Sequence, residues 1–268
     1  MPVCRACSFP MESGKSQCTS CGHWTLVAPR QEQELFTLAD EDDEEIAKIC
    51  PDTWWGELLS GGLPNSASIL MGGDPGAGKS TILLQMALAC IKATKKGVLY
   101  LAVEERGQEI RPRAKRVGFK HRHLERVVLL RPDNLEGDEN LECLEQFSHD
   151  EICFAVVDSL SALSGRNEEE SARLCQLVHG WCKDTNIPCV LVDHVTKSND
   201  FAGLRALEHF VDITVYLSTH KGQPRRTWTT EKNRFGIGQM VGEVCMTEAG
   251  IVVPMVLDEK TGNYVSRS

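Results

Sequence analysis

The sequence predicts an α/β fold, a mostly parallel sheet with helices on both faces, preceded by a small cysteine-bound module. Three observations predict it. Short, almost continuously apolar segments alternate with helical stretches, the pattern of parallel strands buried on both faces. One of these segments runs directly into a glycine-rich loop and an apolar helix. Ahead of them, four cysteines fall as two close pairs within the first 21 residues.

Taken in order, the first element is the cysteine module, residues 1–28. Cys4-x2-Cys7 and Cys18-x2-Cys21 each turn two thiolates toward one point, and two such pairs complete a tetrahedral sulfur site suited to zinc. Ser13-Gly14 lies between the pairs, where the chain must reverse. About thirty residues bury too little surface to fold alone, so the metal would supply the folding free energy. The alternative is a loose tail of reduced cysteines. Residues 29–51 read as a linker, opened by Pro29 and containing the unbroken acidic run 40–45, which favours solvation and self-repulsion. Residues 52–268 then form the main domain.

Composition bounds the function. The 268 residues are 41% hydrophobic and 25% charged, a globular balance. Twenty-nine Lys and Arg against 38 Asp and Glu leave a net charge of −9, so any nucleic-acid contact must come from a local patch. No apolar run reaches the roughly 18 residues of a membrane span, and Cys4 and Cys7 stand where a secretion leader would be. The expectation is a cytoplasmic protein with no membrane partner. Eight of the 12 cysteines lie outside the module, several in apolar strings such as Cys153 before Phe154 and Cys189 before Val190. They read as small free hydrophobes in a reducing compartment.

From Ser68 the chain reads strand, loop, helix. Ser68-Ile69-Leu70-Met71 is a short apolar strand, and Gly73-Asp74-Pro75-Gly76-Ala77-Gly78-Lys79-Ser80 fits the P-loop template at every fixed position. Residues 82–89 continue as an apolar helix. Glycines let backbone N–H groups curl around phosphate, and the helix N-terminus adds its dipole. Lys79 can reach β- and γ-oxygens and the Ser80 hydroxyl can ligate Mg²⁺, so the site is one for a nucleotide with Mg²⁺.

Further parallel strands are expected at 98–101, 127–130, 154–157 and 189–192. The clearest helix is 168–185, where Leu174, Leu177, Val178 and Trp181 follow helical spacing. Ligands in such sheets sit at the carboxyl ends of strands. Asp158 ends one strand, suitably for a carboxylate on Mg²⁺. Glu104 and Glu105 follow another, where a base orients attacking water or a solvated acidic pair simply faces out. Asp193-His194-Val195-Thr196-Lys197 follows the last, and His194 is either structural or a γ-phosphate sensor.

Farther on, residues 225–230 alternate like a strand and lead to Glu231-Lys232-Asn233-Arg234-Phe235-Gly236. Lys232 and Arg234 project on one side of an extended segment. They suit a cationic finger on phosphate, in cis or from a neighbouring subunit; the alternative is an exposed basic strand. Arg111, Arg113, Lys115, Arg116, Lys120 and Arg122 form a run without acids that could neutralise phosphates or simply be a solvated face. Trp54, Trp55 and Trp228 are open to base stacking or burial.

In this order the motifs resemble the bacterial RadA (Sms) DNA-repair ATPases, a RecA-like family with helicase-type activity. The carrying features are the four-cysteine module followed by Trp24-Thr25-Leu26, the loop from Gly72 to Thr81, His194-Val195-Thr196-Lys197, and Lys232-Asn233-Arg234-Phe235-Gly236, over essentially residues 4–256. The resemblance implies a RecA-like P-loop ATPase core. It implies a homo-oligomeric ring, a hexamer, that hydrolyses ATP on single-stranded DNA and branch-migrates recombination intermediates made with the RecA recombinase. It places Gly73, Asp74, Pro75, Gly76, Ala77, Gly78, Lys79, Ser80, Thr81 and His194 at ATP, and Ser80 and Asp158 at Mg²⁺. Glu105, with Glu104 second, positions water, while Lys232 and Arg234 act across the subunit interface. The segment from Lys197 to Arg205 resembles a central-channel DNA loop.

Departures accompany the match. The chain stops where the family's Lon-protease-like domain begins, Asp193 replaces a glycine, and Val103-Glu104-Glu105-Arg106 replaces Gly-Glu-Glu-Ser. Two other functions stay open. A DnaB-like unwinding helicase would carry a helical N-terminal domain instead of a zinc knuckle. A non-motor, ATP-switched regulatory assembly protein would hydrolyse slowly and ignore DNA.

Overall fold

The computed structural model describes residues 3–4, 6–10, 18–22, 46–131, 144, 147–193, 206–253, 255–257 and 264–266. The acidic run 40–45, His194, Lys197 and Arg205 lie outside them. Contacts divide the chain into two units, Met1–Glu45 and Ile46–Ser268. Residues 46–51, included in the expected linker, fall in the second unit.

That unit begins with β1 (Lys48–Ile49), α1 (Trp54–Leu58) and β2 (Leu63–Pro64), where β1 and β2 pair antiparallel. The nucleotide-type motif follows as β3 (Ser68–Gly73) and α2 (Lys79–Thr94). Next come β4 (Gly97–Ala102), α3 (Gly107–Arg116), α4 (His121–Leu124), β5 (Val127–Leu130) and β6 (Ile152–Asp158). After α5 (Leu160–Leu163), α6 (Glu168–Thr185) leads to β7 (Cys189–Val192) and β8 (Ile213–Thr219). The described chain ends in β9 (Arg225–Asn233), β10 (Met240–Thr247), β11 (Gly250–Val252) and a separate pair, β12 (Met255–Leu257) and β13 (Tyr264–Ser266).

Nine described strands form one sheet in the order β11-β10-β9-β8-β3-β7-β6-β4-β5. The six from β8 to β5 run parallel, and β9, β10 and β11 extend one side antiparallel. Alternation sorts the central strands into two cores. Ile69 and Met71 face the core shared with α2 and α3, whereas Leu70 faces the core shared with α6. The expected fold class is therefore the observed one, with helices on both faces.

Local chemistry explains the helix limits. Asn167 caps α6 by accepting from Glu170 N at 3.1 Å, three glutamates fill its first turn, and Asn186 leaves it in the left-handed region. Its buried stripe is Ser171, Leu174, Cys175, Val178, Trp181 and Cys182. Leu177, expected on that stripe, stays 42% exposed, because the i, i+3, i+4, i+7 set from Ser171 already fills the contact face. Trp55 and Trp228 are buried, and Trp54 meets Trp228 edge-on at 5.5 Å. These tryptophans serve packing rather than base stacking. Outside the module, Cys50, Cys90, Cys153, Cys175, Cys182 and Cys189 are buried free thiols, and burial pushes Cys175 up to about 12. Among the described residues, no helix is long and apolar enough to cross a membrane.

Candidate functional site

β3 runs through the middle of the sheet with all six residues buried and delivers Gly73 to the carboxyl edge. A Cβ there would stand 2.3 Å from the Leu217 carbonyl oxygen of β8, at a φ of +153°, so this approach requires glycine. Asp74 fastens the loop to the same strand. Its N–H donates to Leu217 O (3.1 Å), and its carboxylate accepts from the Tyr216 hydroxyl (3.0 Å) and from Thr219 N and Oγ1 (2.7 and 2.8 Å). Burial would raise the Asp74 carboxyl, but the Thr219 and Tyr216 donors and the charge of Lys79 bring it below the usual carboxylate range. Arg226 of β9 braces the far side of the loop, with Nε donating to Ala77 O at 3.2 Å.

The loop ends at Gly78, the residue before α2, whose first-turn N–H groups point out of the helix start. Lys79 is only 5% exposed, and its amine donates to Gly73 O (2.8 Å) and Asp74 O (3.2 Å). Burial pushes the ammonium down, while Asp158, Asp74, Asp193 and Glu104 push it back up. One buried cation thus faces four carboxylates. Around the loop crest nothing lies within 4 Å of a Cβ placed on Gly76, which leaves that face open. A glycine cradle, a helix start and a buried lysine fit a nucleotide's phosphates, and the Ser80 hydroxyl and the Asp158 carboxylate fit an accompanying divalent cation. Ser80 and Asp158 are the residues that would hold Mg²⁺, which when bound neutralises charge on the phosphates.

Asp158 closes β6 level with Ala102 of β4 and Val192 of β7. It is buried and accepts the Tyr100 hydroxyl at 2.8 Å, and burial together with Asp158 drives the Tyr100 phenol well above its ordinary pKa. The two glutamates diverge. Glu104 accepts from Ser159 Oγ at 3.1 Å, next to Asp158. Glu105 is held by Arg113 through two bonds of 2.6 and 2.7 Å, which raise the guanidinium further. Arg113, read from sequence as part of a basic run, therefore has an intramolecular partner. Asp193 N donates to Met71 O at 3.0 Å, so Asp193 follows β7 beside β3.

Lys232 and Arg234 lie at the opposite edge of the sheet. Lys232 pairs with Thr214, and Arg234 N donates to Asp212 O at 3.2 Å, level with Ser68 at the start of β3. Five residues of β3 separate that level from Gly73, about 16 Å along the strand, and two strand spacings add about 10 Å across. The Lys232 amine donates to Glu208 O (2.6 Å) and Val211 O (2.7 Å), whereas Arg234 is about half exposed.

In the N-terminal unit, the four thiols lie within 4.8 Å of one another, with Cys4–Cys21 and Cys7–Cys18 separations of 3.6 and 3.7 Å. Four sulfurs at 2.3 Å from zinc would stand about 3.8 Å apart, so the set fits the ion. The backbone repeats in the two pairs: Ser8 and Gly22, each following a second cysteine, both have positive φ. Backbone N–H groups of Cys21 and Ser20, with the Cys4 and Cys7 thiols, lower the Cys18 pKa to about 7 against the opposing effect of burial, which favours the ligating thiolate.

Sequence reasoning assigned no role to Tyr100, Arg226 or Asp212, although Asp212 closes Leu207-Glu208-His209-Phe210-Val211-Asp212, a segment that also resembles the family. Nothing in their spacing marks their roles, because their partners come from distant segments: Asp158 of β6 for Tyr100, Ala77 of the phosphate loop for Arg226, and Ser68 of β3 with Lys183 of α6 for Asp212.

A family described as AAA domain matches residues 30–200. The DNA repair protein RadA of Aquifex aeolicus (strain VF5) is 30% identical over 93% of this chain and 58% of its own length. That of Synechocystis sp. (strain ATCC 27184 / PCC 6803 / Kazusa) is 34% identical over 84% and 48%. The chain thus spans about half the length of these relatives. Among solved structures, the KaiC-like protein PH0186 of Pyrococcus horikoshii OT3 superposes with a TM-score of 0.65 at 17% identity, over 77% of this chain and 98% of that one. That likeness is one of fold. The chain has a RecA-like P-loop fold, belongs to the AAA-domain family and is a homologue of the DNA repair protein RadA.

Proposed function

We propose that this chain is a motor ATPase of DNA recombination and repair, stimulated by single-stranded DNA and completing its catalytic site between subunits. The observation that carries this reading is the separation of its two cationic sets across the sheet. Lys79, with Asp158 and Glu104, stands at the carboxyl edge, while Lys232 and Arg234 occupy the amino edge, beyond the reach of their own phosphate loop. A head-to-tail contact brings the amino edge of one copy to the loop of the next, and repetition of that contact closes a ring, taken here as a hexamer. Lys79 and the loop N–H groups hold the phosphates, and Ser80 and Asp158 hold Mg²⁺. Glu104, tied to Ser159 beside Asp158, orients the attacking water, and Glu105, whose carboxylate is held by Arg113, is the second candidate. Arg234 is the finger tip, and Lys232 splints its base through Glu208 and Val211.

The RadA relatives are named for DNA repair, which supports DNA as the track. Within this proposal His194, Lys197 and Arg205 are the nucleotide-sensing and DNA-contacting candidates, branch migration is the task, and the RecA recombinase is a partner in the cytoplasm. The four-cysteine unit is a structural zinc site. The test is steady-state ATP hydrolysis with and without single-stranded DNA, at low and moderate salt and over a range of protein concentration. Turnover that rises with DNA, fades with salt and depends on assembly is expected. Turnover indifferent to both DNA and protein concentration would refute the proposal and favour an ATP-switched assembly protein.

A further inference from the structure

We infer that Asp212 is the positioning residue of the finger, a buried carboxylate that anchors Arg234 to the strand carrying the phosphate loop. The inference rests on the reading that Arg234 acts on a neighbouring subunit. Asp212 is 2% exposed. Its Oδ2 accepts from Ser68 N (3.0 Å), Ser68 Oγ (3.1 Å) and the Lys183 amine (2.9 Å), with His179 Nδ1 at 3.5 Å. Its Oδ1 faces Arg234 NH1 at 3.6 Å. The two oxygens divide the work, one seated in the fold and the other turned toward the finger. Burial raises this carboxyl, but the Ser68 N–H, Lys183 and His179 outweigh it and keep the group charged.

The backbone around Arg234 is fixed independently. Asn233 Oδ1 accepts from Phe235 N (2.9 Å), the Lys48 amine donates to Phe235 O (3.2 Å), and the Lys183 amine lies 4.9 Å from the Phe235 ring centre. Rotation of the long arginine side chain is then the remaining freedom. A contact of 3.6 Å on a half-exposed guanidinium adds little to stability. It does favour one direction for a planar group with five donors, and leaves most of those donors for a phosphate. Because Asp212 N also donates to Ser68 O (3.0 Å), the anchor is the first residue of β3 itself.

Subunit mixing tests this. Lys79→Ala subunits keep an intact finger without a working loop, and Arg234→Ala subunits keep the loop without the finger, so a mixture should hydrolyse ATP at least tenfold faster than either alone. Asp212→Asn is then placed in one subunit type at a time, with Asp212→Glu as a second variant should the amide fail to fold. Rescue should fall about tenfold when the change sits in the Lys79→Ala finger donor, and hold when it sits in the Arg234→Ala loop donor. Equal loss in both placements would mean a merely structural role and overturn the inference. Absence of rescue before Asp212 is altered would instead overturn the reading of Arg234 on which it rests.

Discussion

Two glycines of the phosphate loop should respond very differently to alanine. Both Gly73 and Gly76 have positive φ, at +153° and +73°, so each substitution carries a backbone cost of about 1–2 kcal/mol. At Gly76 that is the whole cost, because no atom lies within 4 Å of the new methyl. At Gly73 the methyl would lie 2.3 Å from Leu217 O and 3.1 Å from Leu217 N and C, all backbone atoms of β8. Relief needs roughly 1 Å of separation between β3 and β8, where Asp74 N bonds Leu217 O and the Asp74 carboxylate bonds Thr219. Weakening one neutral and one charge-assisted bond adds about 2–3 kcal/mol. Gly73→Ala should therefore lose about 4 kcal/mol and Gly76→Ala about 1.5 kcal/mol in nucleotide-free urea unfolding followed by circular dichroism. ATP binding should also fail more completely in the Gly73 variant, since Gly73 O is an acceptor for Lys79. Two variants within about 0.5 kcal/mol of each other would show that β8 does not set the loop.

Other expectations follow from the same geometry. Lys79→Ala should stay folded but hydrolyse no ATP, since it removes the buried cation facing Asp158, Asp74, Asp193 and Glu104; residual turnover above a percent in a single-turnover assay would count against its role. Tyr100→Phe removes the hydroxyl donated to Asp158 and should cost about 1.5 kcal/mol in stability while raising the Mg²⁺ concentration needed for half-maximal hydrolysis. For the module, elemental analysis should find one zinc per chain. The neighbouring N–H groups and thiols that lower Cys18 favour its thiolate, and protons compete with the ion for all four sulfurs, so zinc should be retained at neutral pH and released on strong acidification; full retention in strong acid would contradict a thiolate site.

Much of this was legible in the sequence for a physical reason. Strands covered on both faces must be apolar at nearly every position, and those expected at 98–101, 127–130, 154–157 and 189–192 lie within β4 to β7. The helix expected at 168–185 coincides with α6 because its cap and its acidic first turn are local chemistry. β10 was not legible: most of its residues are partly exposed, so no apolar run marks it. β8 carries a fair signal in Ile213-Thr214-Val215-Tyr216-Leu217, but only its place beside β3 reveals that it shapes the phosphate loop. The partner of Glu105 could not be read either. Arg113 sits eight residues away on a different element, inside a run whose obvious reading was external charge.

The two ends of β8 constrain how such a subunit can move. Near the carboxyl end, Asp74 of the loop is bonded to Tyr216 and Thr219; at the amino end, Asp212 is bonded to Ser68, the first residue of β3. The parallel pairing between these clamps runs from Ile69 with Ile213 to Gly73 with Leu217. Slippage of β3 by one residue would exchange its faces and put Leu70 into the wrong core. Phosphate loop and Arg234 segment therefore belong to one rigid piece, and in the proposed ring any nucleotide-driven motion falls between subunits. Distance measurements between labels at Lys221 and Glu231, introduced through non-natural amino acids to avoid the native thiols, should agree within about 1 Å between nucleotide-free and ATP-bound protein. If the proposed ring forms, the same labels on adjacent subunits should shift by several ångströms, as expected for rigid-body rotation about an interface. A change within one subunit as large as that between subunits would show that β8 yields, and that the finger answers to its own loop as well as to its neighbour's.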